Sequence, residues 1–338
     1  MPAFLHVLAS ALARVQQTSI NTFFSAGSTF SLASLFSALV IAVVAVSVAR
    51  LRRRGRLSFR LLVRALWPRR AVLGASGKAD LGFFFLNTFS AGGLISWGLL
   101  SQAQFSAWTV AGLTGAFGHA RWTVSSFDAA LANTALVFLA YDLGYWIDHW
   151  LSHNVPCLWE IHKVHHTAEA LSPLTNFRVH PLESLKFYNI AALFTGAANG
   201  LVVYATGSSP GHIGLLGADI GVVAFMFTLA HLQHTHVWLS FRGWLGRLLL
   251  SPAHHQIHHS ADVRHFGCNL GSALAVWDLL FGTLYVPAAQ REALTFGVAG
   301  ATEAAHTVTG SLITPMVEAA RVLIRPWASL ARRQPQTS

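Results

Sequence analysis

Histidine is the residue whose spacing in this sequence most directly predicts chemistry. The chain contains 18 histidines, many of them in three short segments. In these segments the intervals are three and four residues, which project side chains onto one face of a helix. The segments are "HWLSH" with His149 and His153, "HKVHH" with His162, His165 and His166, and "HHQIHH" with His255, His258 and His259. Each segment can therefore aim several imidazole rings at one point.

Such a gathering of imidazoles predicts bound metal. Buried together, the rings would repel one another if protonated and would need many hydrogen bonds if neutral. Metal binding removes both costs, and one four-coordinate zinc would use only about half of the rings, so their number predicts two metals. The isolated histidines are interpreted as ordinary interfacial or core residues; they are His6, His119, His212 and His306.

The type of metal is narrowed by what the sequence lacks. Imidazole suits zinc, copper, iron and nickel alike. A zinc hydrolase of the H-E-x-x-H type is excluded because no histidine is followed by glutamate. Soluble di-iron bundles need two Glu-x-x-His motifs and two further glutamates, whereas this sequence has one match, "EAAH" from Glu303 to His306. A pair of irons held by histidines alone and reached from the bilayer is the better interpretation.

Composition indicates what must position these residues. The sequence is 53% hydrophobic and only 11% charged, with a mean hydropathy of +0.49. These values are typical of a polytopic membrane protein and predict an all-α bundle. The predicted spans are 29–49, 81–101, 129–147, 187–206 and 212–232, whereas 105–120 is too short and glycine-rich to cross.

The net charge of +10 is concentrated in "RLRRRGRLSFRLLVRALWPRR", residues 50–70. A basic run can bind nucleic acid, but this one directly follows an apolar stretch, where the positive-inside rule is the simpler explanation. We therefore expect no nucleic-acid partner and a cytoplasmic position for 50–70. Counting the spans from there places every dense histidine cluster on the cytoplasmic side. Cys157 and Cys268 are too few to hold an iron–sulfur cluster by four thiolates.

Six segments in a fixed order carry a family resemblance. They are "YDLGYWIDHWLSH", "HKVHH", "RVHPLE", "LQHTHV", "SPAHHQIHH" and "WDLLFGTLY". Over residues 137–286 the sequence resembles the fatty acid hydroxylase / sterol desaturase superfamily of integral-membrane di-iron enzymes. The resemblance implies a helical fold with a cytoplasmic metal cap, two non-haem irons and dioxygen-dependent oxidation of a lipid C–H bond. The implied metal ligands are His149, His153, His162, His165, His166, His234, His255, His258 and His259, with His180 as a further candidate.

Other residues are candidates for positioning the ligands. Asp142 lies seven residues before His149 on the same helix face, where it would either orient a ligand ring or pair with another helix. Glu183 would support His180 or cap a helix. His231 and His254 are interpreted as supporting or substitute ligands, and contact of His236 with metal is left open. The sequence departs from the family pattern at Trp150, His236 and His265, which leaves the identity of the substrate open.

The sequence divides into an N-terminal membrane region (1–128), a catalytic domain (129–286) and a C-terminal tail (287–338). The predicted reaction is hydroxylation or desaturation of a fatty acyl, sterol or related lipid that enters from the bilayer, past walls that include Phe187, Tyr188 and Phe225. Electrons must come from a separate reductase, ferredoxin or b-type cytochrome, because the sequence has no Gly-rich dinucleotide fingerprint. The alternative is a histidine-rich protein that binds or transports metal or haem, which predicts ligands near the bilayer midplane.

Overall fold

The computed structural model describes residues 2–52, 54–66, 73–91, 98–120 and 122–331, and its regular structure is almost entirely helical. The α-helices are α1 (Pro2–Phe24), α2 (Leu32–Arg52), α3 (Phe59–Leu66), α4 (Ala75–Phe85), α5 (Gln102–Phe117), α6 (Ser126–Asn154), α7 (Pro156–His166), α8 (Pro181–Thr206), α9 (Ile220–Phe225), α10 (Leu245–Leu248), α11 (Pro252–His258), α12 (Val276–Phe281) and α13 (Val308–Ala331). The π-helical turn Leu86–Ala91 continues α4, and the π-helical turn Met226–Ala230 with the short helix His231–Gln233 continues α9. A two-stranded antiparallel hairpin pairs β1 (Gly214–Leu215) with β2 (Ala218–Asp219).

Three of the described helices are long and apolar enough to cross a membrane: α2, α6 and α8. They contain 21, 29 and 26 residues, whereas about 20 apolar residues suffice for a crossing. Helix α6 therefore extends beyond the predicted 129–147, and its extra C-terminal turns carry His149 and His153. Helix α8 begins six residues before the predicted 187–206, directly after His180.

Two predicted spans differ from the structure. Residues 212–232 do not form one helix, because the hairpin occupies their first part. The apolar helix Ile220–Gln233 that follows is roughly 20 Å long and therefore shorter than the hydrocarbon core of about 30 Å. The predicted span 81–101 is helical up to Ala91 and then enters residues 92–97, which lie outside the described part of the chain. The arginine-rich segment 50–70 likewise includes positions outside it, at 53 and 67–70.

Helix α5 has 16 residues and packs closely along α8. Gly196 and Gly200 make this approach possible. A Cβ atom on Gly196 would lie 2.6 Å from the carbonyl oxygen of Gln102, and one on Gly200 would lie 2.8 Å from that of Ser106. The four-residue spacing of the two glycines opens one face of α8, as in the G-x-x-x-G contacts of membrane helices.

A chain of polar side chains links α5, α8 and α6. The Ser106 hydroxyl donates to Asn199 Oδ1 over 2.8 Å, and Asn199 Nδ2 donates to Asn133 Oδ1 over 3.0 Å. Asn133 Nδ2 in turn donates to the carbonyl of Gly211 over 3.1 Å. Away from water such groups must find partners within the protein, so these hydrogen bonds fix the relative register of the three helices.

Candidate metal centre

The corner between α6 and α7 brings the first two histidine segments together. His149 and His153 lie in the last turns of α6. Val155 has an extended backbone and ends α6, and Pro156 then begins α7, a position where its missing N–H costs nothing. The chain reverses over these residues, and the rings of His149 and His162 lie 4.9 Å apart between centroids.

The third segment lies on α11, whose start is fixed by a reciprocal cap. The Ser251 hydroxyl and the Ser251 backbone N–H both contact Nδ1 of His254, at 2.7 and 3.1 Å. Nε2 of His254 lies 3.1 Å from the carbonyl of Gly246. Both nitrogens of His254 are therefore used in the fold, and the cap turns the remaining histidines of α11 and its C-terminal cap inward: His255, His258 and His259.

Among the described residues, two groups of histidines bring their ring nitrogens within 4.8 Å of one another. The five-histidine group comprises His149, His153, His162, His166 and His258. The four-histidine group comprises His165, His234, His255 and His259. The groups are adjacent, because the rings of His166 and His259 lie 4.7 Å apart. Helix α7 contributes to both groups, and so does the α11 segment, so the two groups form one centre.

In the five-histidine group, contacts outside the centre set the orientation of three rings. Nδ1 of His149 lies 2.8 Å from the carbonyl of Leu270, and Nδ1 of His258 lies 2.9 Å from that of Cys268. A carbonyl can only accept, so each Nδ1 carries the hydrogen and each Nε2 is left with a bare lone pair. Nδ1 of His162 contacts the carboxylate of Glu183 in the same way. The Nε2 atoms of His149 and His258 are buried and have no protein partner.

In the four-histidine group, the Nε2 atoms meet one another. Nε2 of His234 lies 3.2 Å from that of His165, 2.9 Å from that of His255 and 3.2 Å from that of His259. One neutral imidazole carries a single N–H and cannot bond to three such atoms at once. Metal–nitrogen bonds of about 2.0–2.1 Å would place ligand nitrogens at about these separations around one cation. The geometry therefore fits a metal ion at the point where the four atoms converge.

The electrostatics of the two histidine groups favour neutral rings. Burial, followed by the nearby His162, lowers the pKa of His165 to about 4. Burial also lowers the pKa of His258 to about 3, and burial with the neighbouring imidazoles holds the pKa of His255 and His259 well below its ordinary value. Neutral imidazole is the form that binds metal. An all-nitrogen donor set of this kind suits iron, zinc, copper or nickel.

Three histidines predicted as ligands or supporting ligands lie outside both groups. Nδ1 of His180 accepts from the N–H of Leu182 and caps α8, and its Nε2 lies 3.1 Å from the carbonyl of Leu312. Nε2 of His231 lies 2.8 Å from the Ser34 hydroxyl, so this ring joins the α9 segment to α2. His254 caps α11 as described above. His236 is also outside the two groups.

Asp142 does not contact a histidine ring. Its carboxylate accepts from the N–H groups of Ala273 and Leu274 at 2.9 and 3.1 Å and from Nε1 of Trp277 at 3.0 Å. The sequence left open whether Asp142 orients a ligand ring or pairs with another part of the fold. In the structure it pairs with another segment, through Ala273, Leu274 and Trp277. Its effect on His149 is indirect, because the segment that it holds also contains the carbonyl of Leu270.

Asp278 holds the same segment from its other side. It is fully buried and accepts from the N–H groups of Leu270 and Gly271 at 2.8 and 2.9 Å, from Trp146 Nε1 at 3.1 Å and from the Thr283 hydroxyl at 2.5 Å. Burial raises the pKa of Asp278, and these four donors oppose the shift. We call residues 268–274 the carbonyl ridge, because its carbonyls at Cys268 and Leu270 orient two rings of the centre.

Arg178 supports α7 from behind. Its side chain is fully buried, and its Nε donates to the carbonyl of Val164, between His162 and His165. Its guanidinium also pairs with Asp80 of α4 at 2.9 Å and donates to the carbonyl of Ala305 at 2.6 Å. One side chain thus fixes α7 against α4 and against the segment that leads into α13.

Sequence reasoning assigned no role to Asp278, Arg178 or the carbonyl ridge. A signal was present, because Arg178 begins "RVHPLE" and Asp278 belongs to "WDLLFGTLY", two of the segments that carry the resemblance. An arginine and an aspartate next to apolar residues in a membrane protein need partners. Those partners come from distant segments, so their identity could not be read from the sequence.

A cavity of about 370 Å³ opens beside the centre. Members of both histidine groups reach it, namely His149 and His162 of one group and His165 and His234 of the other. The residues predicted as channel walls all line it: Phe187, Tyr188 and Phe225. Its size falls within the range of ligand pockets, about 300–1,000 Å³.

Comparison with known proteins gives a consistent result. Residues 134–283 match the family model of fatty acid hydroxylases. Human alkylglycerol monooxygenase is 30% identical over 166 residues, which cover 48% of this chain and 32% of the human protein. Ornithine lipid hydroxylase OlsE from Rhizobium tropici is 27% identical over 186 residues, which cover 48% of this chain and 51% of that protein. The chain thus matches between a third and a half of the length of these relatives. No solved structure matches significantly.

Proposed function

We propose that this protein, whose residues 134–283 match the family model of fatty acid hydroxylases, is a membrane oxidoreductase that uses dioxygen to oxidise a C–H bond of a lipid. The observation that carries the proposal is the pair of adjacent histidine groups beside a cavity between α6, α8 and the α9 segment. The named relatives are a lipid monooxygenase and a lipid hydroxylase, which supports hydroxylation over desaturation as the first outcome to test.

Two non-haem irons are the proposed cofactors, one in each histidine group. Bound there, the irons would supply the redox chemistry that activates dioxygen toward a C–H bond. The protein holds His149 and His258 in the tautomer that presents Nε2, through the carbonyl ridge. Glu183 makes the corresponding contact with His162, and a carboxylate in this position raises the basicity of a ligand ring.

The substrate is proposed to enter from the bilayer. Phe187 and Tyr188 lie on α8 and Phe225 on α9, so the cavity wall belongs to apolar membrane-region helices. An alkyl chain gains about 0.8 kcal/mol per CH₂ on leaving water but little on leaving lipid. The affinity for a membrane lipid would therefore come mainly from its polar head, and the width of the cavity would select among chains.

The active site is proposed to face the cytoplasm, on the same side as the arginine-rich segment, where a separate reductase, ferredoxin or b-type cytochrome would deliver electrons. The positive-inside rule is the support for this orientation. A topology reporter inserted after Gly55 and one inserted after Ala289 should both read cytoplasmic, and one at Ser208 should read external. Opposite sides for Gly55 and Ala289 would contradict the proposed orientation.

The experiment that tests the function combines metal and lipid analysis. The purified protein should contain about two irons per chain, and cells that express it should accumulate a lipid whose mass is raised by one oxygen or lowered by two hydrogens. His258→Ala, which removes a proposed ligand, should abolish the product. Bound haem, revealed by a Soret band, or stable metal binding without any oxidised lipid would favour the alternative of a metal- or haem-binding protein.

A further inference from the structure

The cavity beside the metal centre has a polar region that comes from outside residues 134–283. Asn87 and Thr88 lie on the π-helical turn Leu86–Ala91, and both line the cavity. Thr22, Ser28 and Thr29 from the N-terminal region line it as well. Single π-helical turns are frequently found at functional sites. The part of the chain matched by the family model therefore does not build this region.

Asn87 is held in one orientation. Its Nδ2 donates to the carbonyl of Phe177 at 2.9 Å and to the carbonyl of Val179 at 2.8 Å, so both amide hydrogens are used. Turning the amide over would place its oxygen against two carbonyl oxygens. The Oδ1 atom is thereby directed away from these partners, and it is buried without a hydrogen-bond partner. Asn87 consequently offers the cavity an acceptor and no donor.

Two further oxygens of the lining are unpaired. Thr88 Oγ1 and Glu183 Oε2 are both buried and have no hydrogen-bond partner in the protein. Buried polar atoms without partners are uncommon and call for an explanation such as a ligand. Here three such oxygens, those of Asn87, Thr88 and Glu183, border one cavity, and those of Asn87 and Glu183 can only accept. The complementary ligand must bring hydrogen-bond donors.

The charge of the lining narrows the ligand further. Among the described residues that line the cavity, none is lysine or arginine, and Asp148 and Glu183 are acidic. A phosphate or carboxylate head would be desolvated here without a counter-charge, which is costly. Asp148 is already paired with Lys186 at 2.7 Å, and Glu183 contacts His162. An uncharged head that carries hydroxyl groups fits both the acceptors and the charge.

We propose that Asn87 and Thr88 form a head-group subsite that binds the hydroxyl groups of an uncharged lipid head. The inference rests on the proposed function in that it takes the cavity as the place where the lipid binds. It assigns the choice of head group to the N-terminal half of the chain, whereas the histidines of the catalytic domain determine the reaction.

Binding measurements with purified metal-loaded protein in nanodiscs test this subsite. The probes share one alkyl chain: hexadecylglycerol, its di-O-methyl ether, hexadecyl phosphate and hexadecylamine. Hexadecylglycerol should bind tightest, and the methylated head, which cannot donate to Asn87, should bind roughly 10-fold more weakly. Equal binding of these two probes, or tighter binding of the phosphate or the amine, would overturn the proposal.

Thr88→Val is the key variant, because Thr88 Oγ1 has no protein partner and its loss removes no hydrogen bond of the fold. It should weaken binding of hexadecylglycerol roughly 2- to 10-fold and leave binding of the methylated probe nearly unchanged. Thr88→Ser should bind like the wild type. Thr228→Val is the matched control, since Thr228 is exposed and its hydroxyl bonds within its own helix. An unchanged affinity in Thr88→Val would remove Thr88 from the subsite.

The same samples separate this inference from the proposed function when supplied with reductant and dioxygen. Binding that prefers hydroxyl heads without any oxidised product would contradict the function and keep the subsite. Oxidised product without any preference among heads would keep the function and overturn the subsite.

Discussion

Replacing Asp278 with asparagine should loosen the metal centre without touching a histidine. The variant keeps the shape of the side chain but turns one carboxylate oxygen into an NH₂ group. In the structure Oδ2 accepts from the N–H of Gly271 at 2.9 Å, and Oδ1 accepts from the N–H of Leu270, from Trp146 and from Thr283. Asparagine can keep the three hydrogen bonds to Oδ1 only if its NH₂ group replaces Oδ2. That NH₂ group would then face the N–H of Gly271, and two donors cannot bond to each other.

The loss of stability in Asp278→Asn can be estimated from these contacts. A hydrogen bond to a charged group contributes about 1.5–3 kcal/mol, and a buried donor left unpaired costs about 1–3 kcal/mol more. Asp278→Asn should therefore destabilise the fold by roughly 3–5 kcal/mol. Because the carbonyl ridge orients His149 and His258, metal affinity should fall by about 10- to 100-fold, as for other residues that position metal ligands.

Two measurements on the purified protein check this prediction. The unfolding temperature should fall by on the order of 10 °C, and competition with a chelator should show the weaker metal binding. Asp262→Asn is the control, because Asp262 pairs with the exposed Arg264 and should matter little for either quantity. Wild-type metal affinity in a destabilised Asp278→Asn would refute the link between the ridge and the centre. Wild-type values of both quantities would refute the role of the carboxylate itself.

Three more predictions, each built on one substitution or a matched pair, test other parts of the structure. Gly200→Ala should lower the unfolding temperature, because the added Cβ would meet α5. Gly112→Ala is the control and should raise the unfolding temperature slightly, because no atom lies within 4 Å of the added Cβ. Equal effects of the two variants would contradict the close approach of α5 and α8. His258→Ala should lose metal and activity. His180→Ala should keep its metal content and lose about 1 kcal/mol of stability, because it removes the cap of α8. Loss of metal in His180→Ala would show that His180 is a ligand. If two metals bind as proposed, Glu183→Gln should lower the binding affinity for one of them by about 10- to 100-fold. Binding of two equally tight metals in a chelator titration would contradict this.

Much of the centre could be predicted because its components are local. Intervals of three and four residues place His162, His165 and His166 on neighbouring positions of one helix whatever surrounds it. The same holds for the α11 segment, and composition alone indicates helices in a membrane. The chemistry of imidazole then limits the metals. All nine histidines of the two groups belong to the set of predicted metal ligands. Their role as ligands stays a prediction.

Contacts between distant segments decided the rest. In the sequence His180 is a further candidate ligand and His254 a candidate supporting or substitute ligand. In the structure their Nε2 atoms contact the carbonyls of Leu312 and Gly246. The span predicted over 212–232 has the right hydropathy, yet hydropathy does not report the turn at which β1 and β2 pair.

Helix spacing determined by itself which rings share a face. The division into two groups, the orientation of the rings and the unpaired oxygens of Asn87 and Thr88 were decided only by tertiary structure. The physical reason is that the carbonyls which orient His149 and the Asn87 amide belong to segments far away in the sequence. Leu270 follows His149 by 121 residues, and Phe177 follows Asn87 by 90. Spacing is a property of one helix, whereas the pairing of a donor with an acceptor is a property of the packed fold.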